Sequence, residues 1–512
     1  MRPTSAKVLL AWLCIAVSGA CGKSAATNPP GAQGSVLERN NHPSRDGHFV
    51  QPLLSRAAVK MAPKTADASF TATFMGNMWA SPLYLENGPS GKGTFFAVTT
   101  GNDVLALDET DGHLLWRANI GSSPTANGVS CGSIHPLGII STPVIDATAR
   151  RIYVAGAIGT TSIARHEVHA LSVDDGTDIK TGGWPVDVSK LTAGALAFTP
   201  PPYNQRSALS LIKGTLYVAY GGHVGDCGNY HGWVTGIDTR NATLTGSWAT
   251  GGLGSGIWAA GGMASDGEAI FPTTGNDTMG SQGHVDSEEV VRVTGLAKVD
   301  TASPANVFYP ARWQAMDGAD ADMASSSTVY IEVPGATPAT FVVAISKDGH
   351  LYLLDSKNLG GMDGAAVDFV VAASGMSIHT APAAYTTAAG VHVLFSTDSG
   401  AVCPAGTPAG GGKVIMSVLV PPGAPPAPRI EWCAPLSGAV TSPVVTTTDG
   451  KAEAIVWYMN NGKLTGLDGD TGASIYASAD TCPGVRQWTS PIAVKGRIIA
   501  GADGRLCAWT VH

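Results

Sequence analysis

Two stretches of this chain concentrate side chains able to do chemistry. The first, GGHVGDCGNYHGW, gathers His223, Asp226, Cys227 and His231 in one Gly-rich loop. Imidazole and carboxylate at this density can bind a metal such as zinc or copper, which makes His223, Asp226 and His231 candidate ligands. If Cys227 pairs with Cys131 instead, the same stretch is a stapled loop. The second, DGADAD, carries Asp320 and Asp322 just before a buried strand pattern. Of all the carboxylates in the chain, these two make the best candidates for a calcium site or a general base. Aspartates more often close turns, so a purely structural role stands beside that one. Other chemistries find no support. No CxxC or CxxCH occurs, which leaves out a zinc knuckle and a covalently attached haem. Neither a serine nucleophile elbow nor a phosphate-cradling loop is present. The net charge of −8 leaves no basic stripe, which excludes nucleic acid as a partner.

These residues need elements to position them, and the composition says which. Of 512 residues only 14% are charged, while 64 are Gly, a balance that suits many short buried strands joined by tight turns. A unit repeats along the chain: an apolar strand opening on a small residue and Pro, a second strand, a third, a polar Gly turn and an aromatic. Openings fall at Trp79, Ile140, Gln205, Ile257, Met323, His379, Val440 and Trp488, at intervals of roughly 40 to 60 residues. Eight four-stranded sheets cannot each bury two faces alone, and radial stacking solves this. The expected fold is therefore all-β, an eight-bladed β-propeller over residues 67–512, with little helix and a monomeric state. The last unit supplies only three strands, and the segment ASFTATFM, residues 68–75, is expected to close it. The turns lack the GH and WD signatures of WD-repeat propellers.

The chain begins with Arg2 and Lys7 followed by an apolar run from Val8 to Val17, too short to span a bilayer. Ser18-Gly19-Ala20-Cys21 then resembles the cleavage site of bacterial lipoproteins, although Ser18 stands where that pattern prefers Leu. A signal peptide over 1–21 and a membrane anchor at Cys21 are expected; an ordinary signal peptide cut near Ala20 is the alternative. Gly22, with no retention Asp, resembles the pattern that sends lipoproteins to the outer membrane. Residues 22–66 are rich in Ala, Pro, Asn, Ser and Gly and read as a flexible tether. Six cysteines remain beyond Cys21, an even number suited to an oxidising compartment. Their connectivity is open, with Cys403–Cys433 and Cys482–Cys507 favoured by short loops.

The turns LALDETDGHLLW and LTGLDGDTGASIY are similar to the repeat of pyrroloquinoline quinone (PQQ) propellers, in which an aromatic after the Asp-x-x-x-Gly turn docks on the next blade. SCGSIHPLGIISTPVID, GIWAAGGMASDG and KDGHLYLLDSKNLGG resemble an uncharacterised bacterial lipoprotein branch of that family. The resemblance runs from residue 46 onward. It implies a PQQ-dependent dehydrogenase oxidising an alcohol or sugar hydroxyl with calcium assistance. By the same resemblance Trp258 would stack the quinone, Asn276 would bind calcium, and Asp320 would be the base beside Asp322. Lys347 would hold a quinone oxygen. Against this, the adjacent-cysteine clamp of the enzymes is replaced by Cys131-Gly132. An expected Arg is missing from Ile134–Leu137, and the calcium-binding Glu falls near Asp226. The alternative is a non-catalytic scaffold binding an envelope protein or a glycan, with Trp258 plugging the channel and Asn276 serving a Gly turn.

Overall fold

The computed structural model describes Met1 and residues 34–373, 378–407 and 412–512. Residues 2–33, where the signal peptide and the anchor at Cys21 are expected, lie outside the described residues. The fold is the expected all-β, eight-bladed propeller, built largely from antiparallel sheets. Innermost strands begin at Leu83, Val144, Ser210, Ala264, Val329, Ala383, Val444 and Ile492, one for each blade, numbered here 1 to 8. Strands that face both neighbours, such as Asp103–Asp108, are buried on every residue, whereas the outermost strand of the same blade, Leu114–Asn119, is half exposed. That contrast is the one radial stacking imposes, since each sheet hides both faces of its middle strands between neighbours.

Two tryptophans lock blades together, Trp116 as its turn motif implies and Trp432 without such a turn before it. Trp116 of blade 1 donates Nε1–H to Val173 O of blade 2 at 2.9 Å. It lies so close to Gly176 that a Cβ there would meet its ring at 2.6 Å. Trp432 of blade 6 donates to Gly469 O at 2.8 Å and packs on Gly472 of blade 7 in the same way. Both glycines also hold a left-handed backbone, φ 72° and 71°, so the position needs Gly for conformation as well as for space.

Blade 8 contributes three strands, and the chain's early segment completes it. Asp67 N donates to Ala508 O, Leu506 N to Ala72 O and Phe74 N to Gly504 O, all at 2.8–3.0 Å. Cys482–Cys507 fastens the last blade, Cys403–Cys433 lies in blade 6, and Cys131–Cys227 ties the loops of blades 2 and 3.

From residue 34 on, the expected tether is instead a packed inner belt. Val36 bridges to Tyr84 in blade 1. Leu37 O accepts from Ile145 N in blade 2, Pro43 O from Ser265 N in blade 4, Ser44 O from Tyr330 N in blade 5 and Asp46 O from Ala384 N in blade 6. Arg45 donates to Leu209 O and Ser210 Oγ in blade 3. His48–Val50 runs parallel to Val445–Thr447 of blade 7, and Gly496 N of blade 8 donates to Gln51 Oε1. A short helix, Arg56–Met61, capped by Ser55, follows, with Arg56 paired to Asp468 and Asp470. The polar composition that suggested disorder is what the belt requires. Its backbone and side-chain groups satisfy the unpaired inner edges of eight sheets, so no apolar period is needed.

Candidate functional site

Each blade is entered by a short approach to its innermost strand. In blades 1, 2, 3, 6, 7 and 8 the residue four places before that strand is Trp79, Ile140, Arg206, His379, Val440 and Trp488. Blade 4 is less regular, with strands of two or three residues, and the stretch after it forms a helix, Trp313–Ala319, ending at Asp320. Regular pairing is given up where Asn276, Glu288 and Asp320 are presented.

Arg206, His379 and Trp488, from the approaches of blades 3, 6 and 8, line a cavity of about 320 Å³ whose lining also includes Trp258, Asn276, Asp320, Asp322 and Lys347. All five residues singled out by resemblance therefore meet in one place. Lys347 Nζ donates to Asp322 Oδ2 at 2.6 Å and to Asp320 Oδ1 at 3.0 Å, and lies 5.6 Å from the centre of the Trp258 ring. Asn276 N donates to Asp322 Oδ1 at 3.1 Å, and its Nδ2 lies 3.5 Å from Asp320 Oδ1. Asn276 Oδ1 is buried and has no partner among the described residues. The side chain of Asp322 is 8% exposed and that of Asp320 is 55% exposed, so the first is structural in its burial and the second open to a ligand.

The electrostatics follow from burial. Loss of water pushes the Asp322 carboxyl up to about 6, even though Lys347 pulls the other way. Burial also opposes the charge on Lys347, yet the Asp322 carboxylate and the two hydrogen bonds outweigh it and hold the ammonium above its ordinary value. Behind them Glu288, fully buried and bonded through Oε2 to Met323 N at 2.6 Å, is raised strongly, first by burial and then by Asp322. Asp317 is pushed up to about 6, chiefly by burial. Asp226, Asp320 and Trp488 on the cavity wall, with the nearby Glu288, sit in the left-handed region, φ 49°, 54°, 68° and 51°. Non-glycine residues enter it rarely, and such strain collects at functional sites.

The expected zinc or copper cluster does not assemble. Asp226 and His223 line the cavity, but His231 does not, and its Nδ1 lies 2.8 Å from Thr250 O. His223 Nε2 donates to Pro201 O at 3.0 Å, and Tyr230 OH donates to Asp226. The ligand atoms of His223, Asp226 and His231 do not come within 4.8 Å of one another; among the described residues the histidine–carboxylate group that does is the exposed turn Asp108, Asp111 and His113. Spacing in sequence put them on one loop, but the Cys131–Cys227 staple and the strand starting at Trp233 pull that loop apart. Gly132 also lies elsewhere than expected, lining the neighbouring cavity with Trp79 and Arg206 rather than the space over Trp258.

Sequence reasoning missed Arg206, Tyr230, Glu288 and Trp488. Arg206 and Trp488 had a usable signal, since Trp488 is itself a blade opening and moving the blade 3 opening one residue on from Gln205 puts Arg206 in the column of Trp79 and His379. Glu288 had none, because a glutamate before an apolar run reads as an ordinary strand start.

No family model and no curated protein matches the chain. Solved structures do. A quinohemoprotein alcohol dehydrogenase, ADHIIG, from Pseudomonas putida HK5 superposes with TM-score 0.60 at 12% identity, covering 91% of this chain and 76% of its own. One from Comamonas testosteroni gives 0.60 at 13%, covering 93% and 80%. A europium-containing methanol dehydrogenase gives 0.59 at 13%, covering 92% and 90%. At such identity the likeness is one of fold, and by fold this chain is a PQQ-like, eight-bladed β-propeller.

Proposed function

We propose that the protein is an exported oxidoreductase of the quinoprotein type that oxidises an alcohol or sugar hydroxyl in this cavity. The observation that carries the reading is the meeting of Trp258, Asn276, Asp320, Asp322 and Lys347 around one ligand-sized space. The residues suit the implied groups. The Trp258 face can support a planar quinone, and the unpartnered Asn276 Oδ1 with the Asp320 and Asp322 oxygens is a donor set for a hard cation such as calcium. When bound, the quinone supplies a two-electron acceptor and calcium a Lewis acid. The chain itself supplies the proton chemistry. Asp320 turns one oxygen to Lys347 and leaves Oδ2 without a partner among the described residues, placed at the cavity wall to take the proton of a substrate hydroxyl. Lys347 holds both aspartates in place and presents a fixed positive charge beside the ring of Trp258.

The test is to add PQQ and calcium to the purified protein and follow binding and dye reduction with alcohols and sugars. Tight binding and turnover are expected, with Asp320→Asn lowering turnover about 100-fold or more. Absence of binding at micromolar PQQ sinks the enzyme reading. Binding that persists in both Trp258→Ala and Asn276→Ala shows the site is elsewhere. One observation favours a second reading, a non-catalytic propeller that binds a protein or glycan at the envelope: Gly132 follows Cys131, which is joined to Cys227, so no pair of adjacent cysteines is present to cover a quinone on Trp258.

Export and a lipid anchor at Cys21, with outer-membrane residence, belong to the same proposal. The three disulfides among the described residues support passage through an oxidising compartment.

A further inference from the structure

The charges around the axis do not balance at one end. Lys347 is answered by two aspartates, Arg45 by Glu38 at 3.0 Å and Arg486 by Asp503. Arg206 is answered by nothing. Its guanidinium takes no hydrogen bond and no ion pair among the described residues, and rests 4.3 Å from the centre of the Trp488 ring and 5.5 Å from that of Trp79. It lines the cavity of Trp258 and Lys347 and also a second one of about 320 Å³, bounded by Trp79, Gly132 and Arg486. Beneath it Arg39, buried in the belt, donates only to neutral acceptors: Asn40 Oδ1, Ser442 Oγ and Trp488 O. Burial, then repulsion from Arg45 and Arg206, pulls Arg39 down to about 9, and burial draws Arg206 down to about 10. Arg39 is buried and Arg206 half-buried, and two guanidiniums so placed with no carboxylate between them cost stability unless an anion joins them.

We propose that Arg206 is a carboxylate subsite, so that the ligand of this cavity is a small polyhydroxylated acid of the sugar-acid class. A guanidinium stacked on an aromatic face keeps its edge free, and that edge matches a carboxylate in a two-point hydrogen bond. Trp258 and Trp488, which line the same cavity as Asp320, add aromatic surface suited to a carbon chain or ring bearing hydroxyls. Asp320, on the wall of the same cavity, faces a hydroxyl of the ligand whose acid end is held at Arg206. The identity of that hydroxyl as the one oxidised rests on the oxidoreductase reading; the carboxylate subsite does not.

The experiment compares D-gluconate with neutral D-glucitol, titrated into the purified full-length protein without added cofactor and followed by calorimetry and tryptophan fluorescence. Gluconate is expected to bind about tenfold or more tightly than glucitol, as a charge-assisted hydrogen-bond pair implies. The preference should fall with added salt, vanish in Arg206→Gln, and survive in part in Arg206→Lys, which keeps the charge without the fork. Equal affinity for the two probes in the wild type, or a preference untouched in Arg206→Gln, overturns the proposal. If Arg206→Gln fails to fold, the salt dependence of the wild type and the Arg206→Lys titration decide it by the same criteria. A separate arm titrates PQQ with calcium. If Arg206→Gln weakens PQQ about tenfold while gluconate and glucitol bind alike, the carboxylate at Arg206 is the cofactor's and the substrate assignment falls. Failure of PQQ to bind at all sinks the oxidoreductase reading and leaves the gluconate result standing.

Discussion

Asp317 shows how a single residue can be held against its own chemistry. It accepts from Asp277 N at 2.8 Å and from Ser287 Oγ at 3.1 Å, yet burial and the nearby carboxylates raise it to about 6. A carboxyl whose folded value lies above its unfolded one binds more protons in the folded state between the two. Stability therefore falls as pH rises through about 4 to 6 and stays lower above. Asp322, also raised to about 6, and the strongly raised Glu288 act in the same direction. Asp317→Asn removes the penalty while keeping an acceptor for Asp277 N. Its melting temperature relative to wild type is expected to be higher at pH 8 than at pH 5. A difference independent of pH would show that Asp317 carries no such penalty. Lys347, raised rather than lowered, keeps its charge throughout this range.

At the scale of elements, the blades depend on one another through their turns. Trp116 leaves its own sheet to donate to Val173 O and to cover Gly176 of the next. Trp116→Ala is expected to cost about 3 kcal/mol in equilibrium denaturation, from the lost packing and the void left behind. Trp116→Phe keeps most of the packing and loses the hydrogen bond, for about 1 kcal/mol. Equal losses in the two would place the whole effect in the hydrogen bond. The blade approaches behave differently. Their residues are spaced by the repeat but differ in type, so Trp, Arg, His and Trp fall at the same phase in blades 1, 3, 6 and 8. The repeat thus builds a ring of positions whose side chains are free to vary, while the strands behind them stay constant.

The whole molecule is held at its centre by the belt. Arg45, 1% exposed, joins the belt to blades 3 and 4 through Leu209 O, Ser210 Oγ and Met263 O, and pairs with Glu38. Arg45→Ala leaves Glu38 buried without its partner and is expected to cost about 3–5 kcal/mol. Replacing both, as Glu38→Gln with Arg45→Met, should cost less than the single change. Denaturant titration of the three proteins checks this, and a double variant weaker than Arg45→Ala would show that the belt depends on the ion pair itself. Outside the belt, the anchor is tested by Cys21→Ala, which is expected to move the protein from the membrane fraction to the soluble one; unchanged membrane association removes the anchor.

The sequence by itself determined the number of blades and the closing role of residues 68–75, and by resemblance the docking of Trp116. All of these follow from local periodicity and from turn glycines whose need for space and left-handed backbone is written residue by residue. It also named Trp258, Asn276, Asp320, Asp322 and Lys347, because their spacing resembled a known pattern. Only the tertiary structure decided which residues share a space. Radial closure brings the start of blade 3 beside the start of blade 8, so Arg206 rests on Trp488 across 282 residues of chain, counted from 206 to 488. The same closure turns His231 toward Thr250, away from the cavity lined by His223 and Asp226, although all three lie on one loop. The belt was hidden for a related reason. Its partners are backbone groups at the inner edges of eight sheets, and hydrogen bonds to a main chain leave almost no trace in the identity of the side chains that make them.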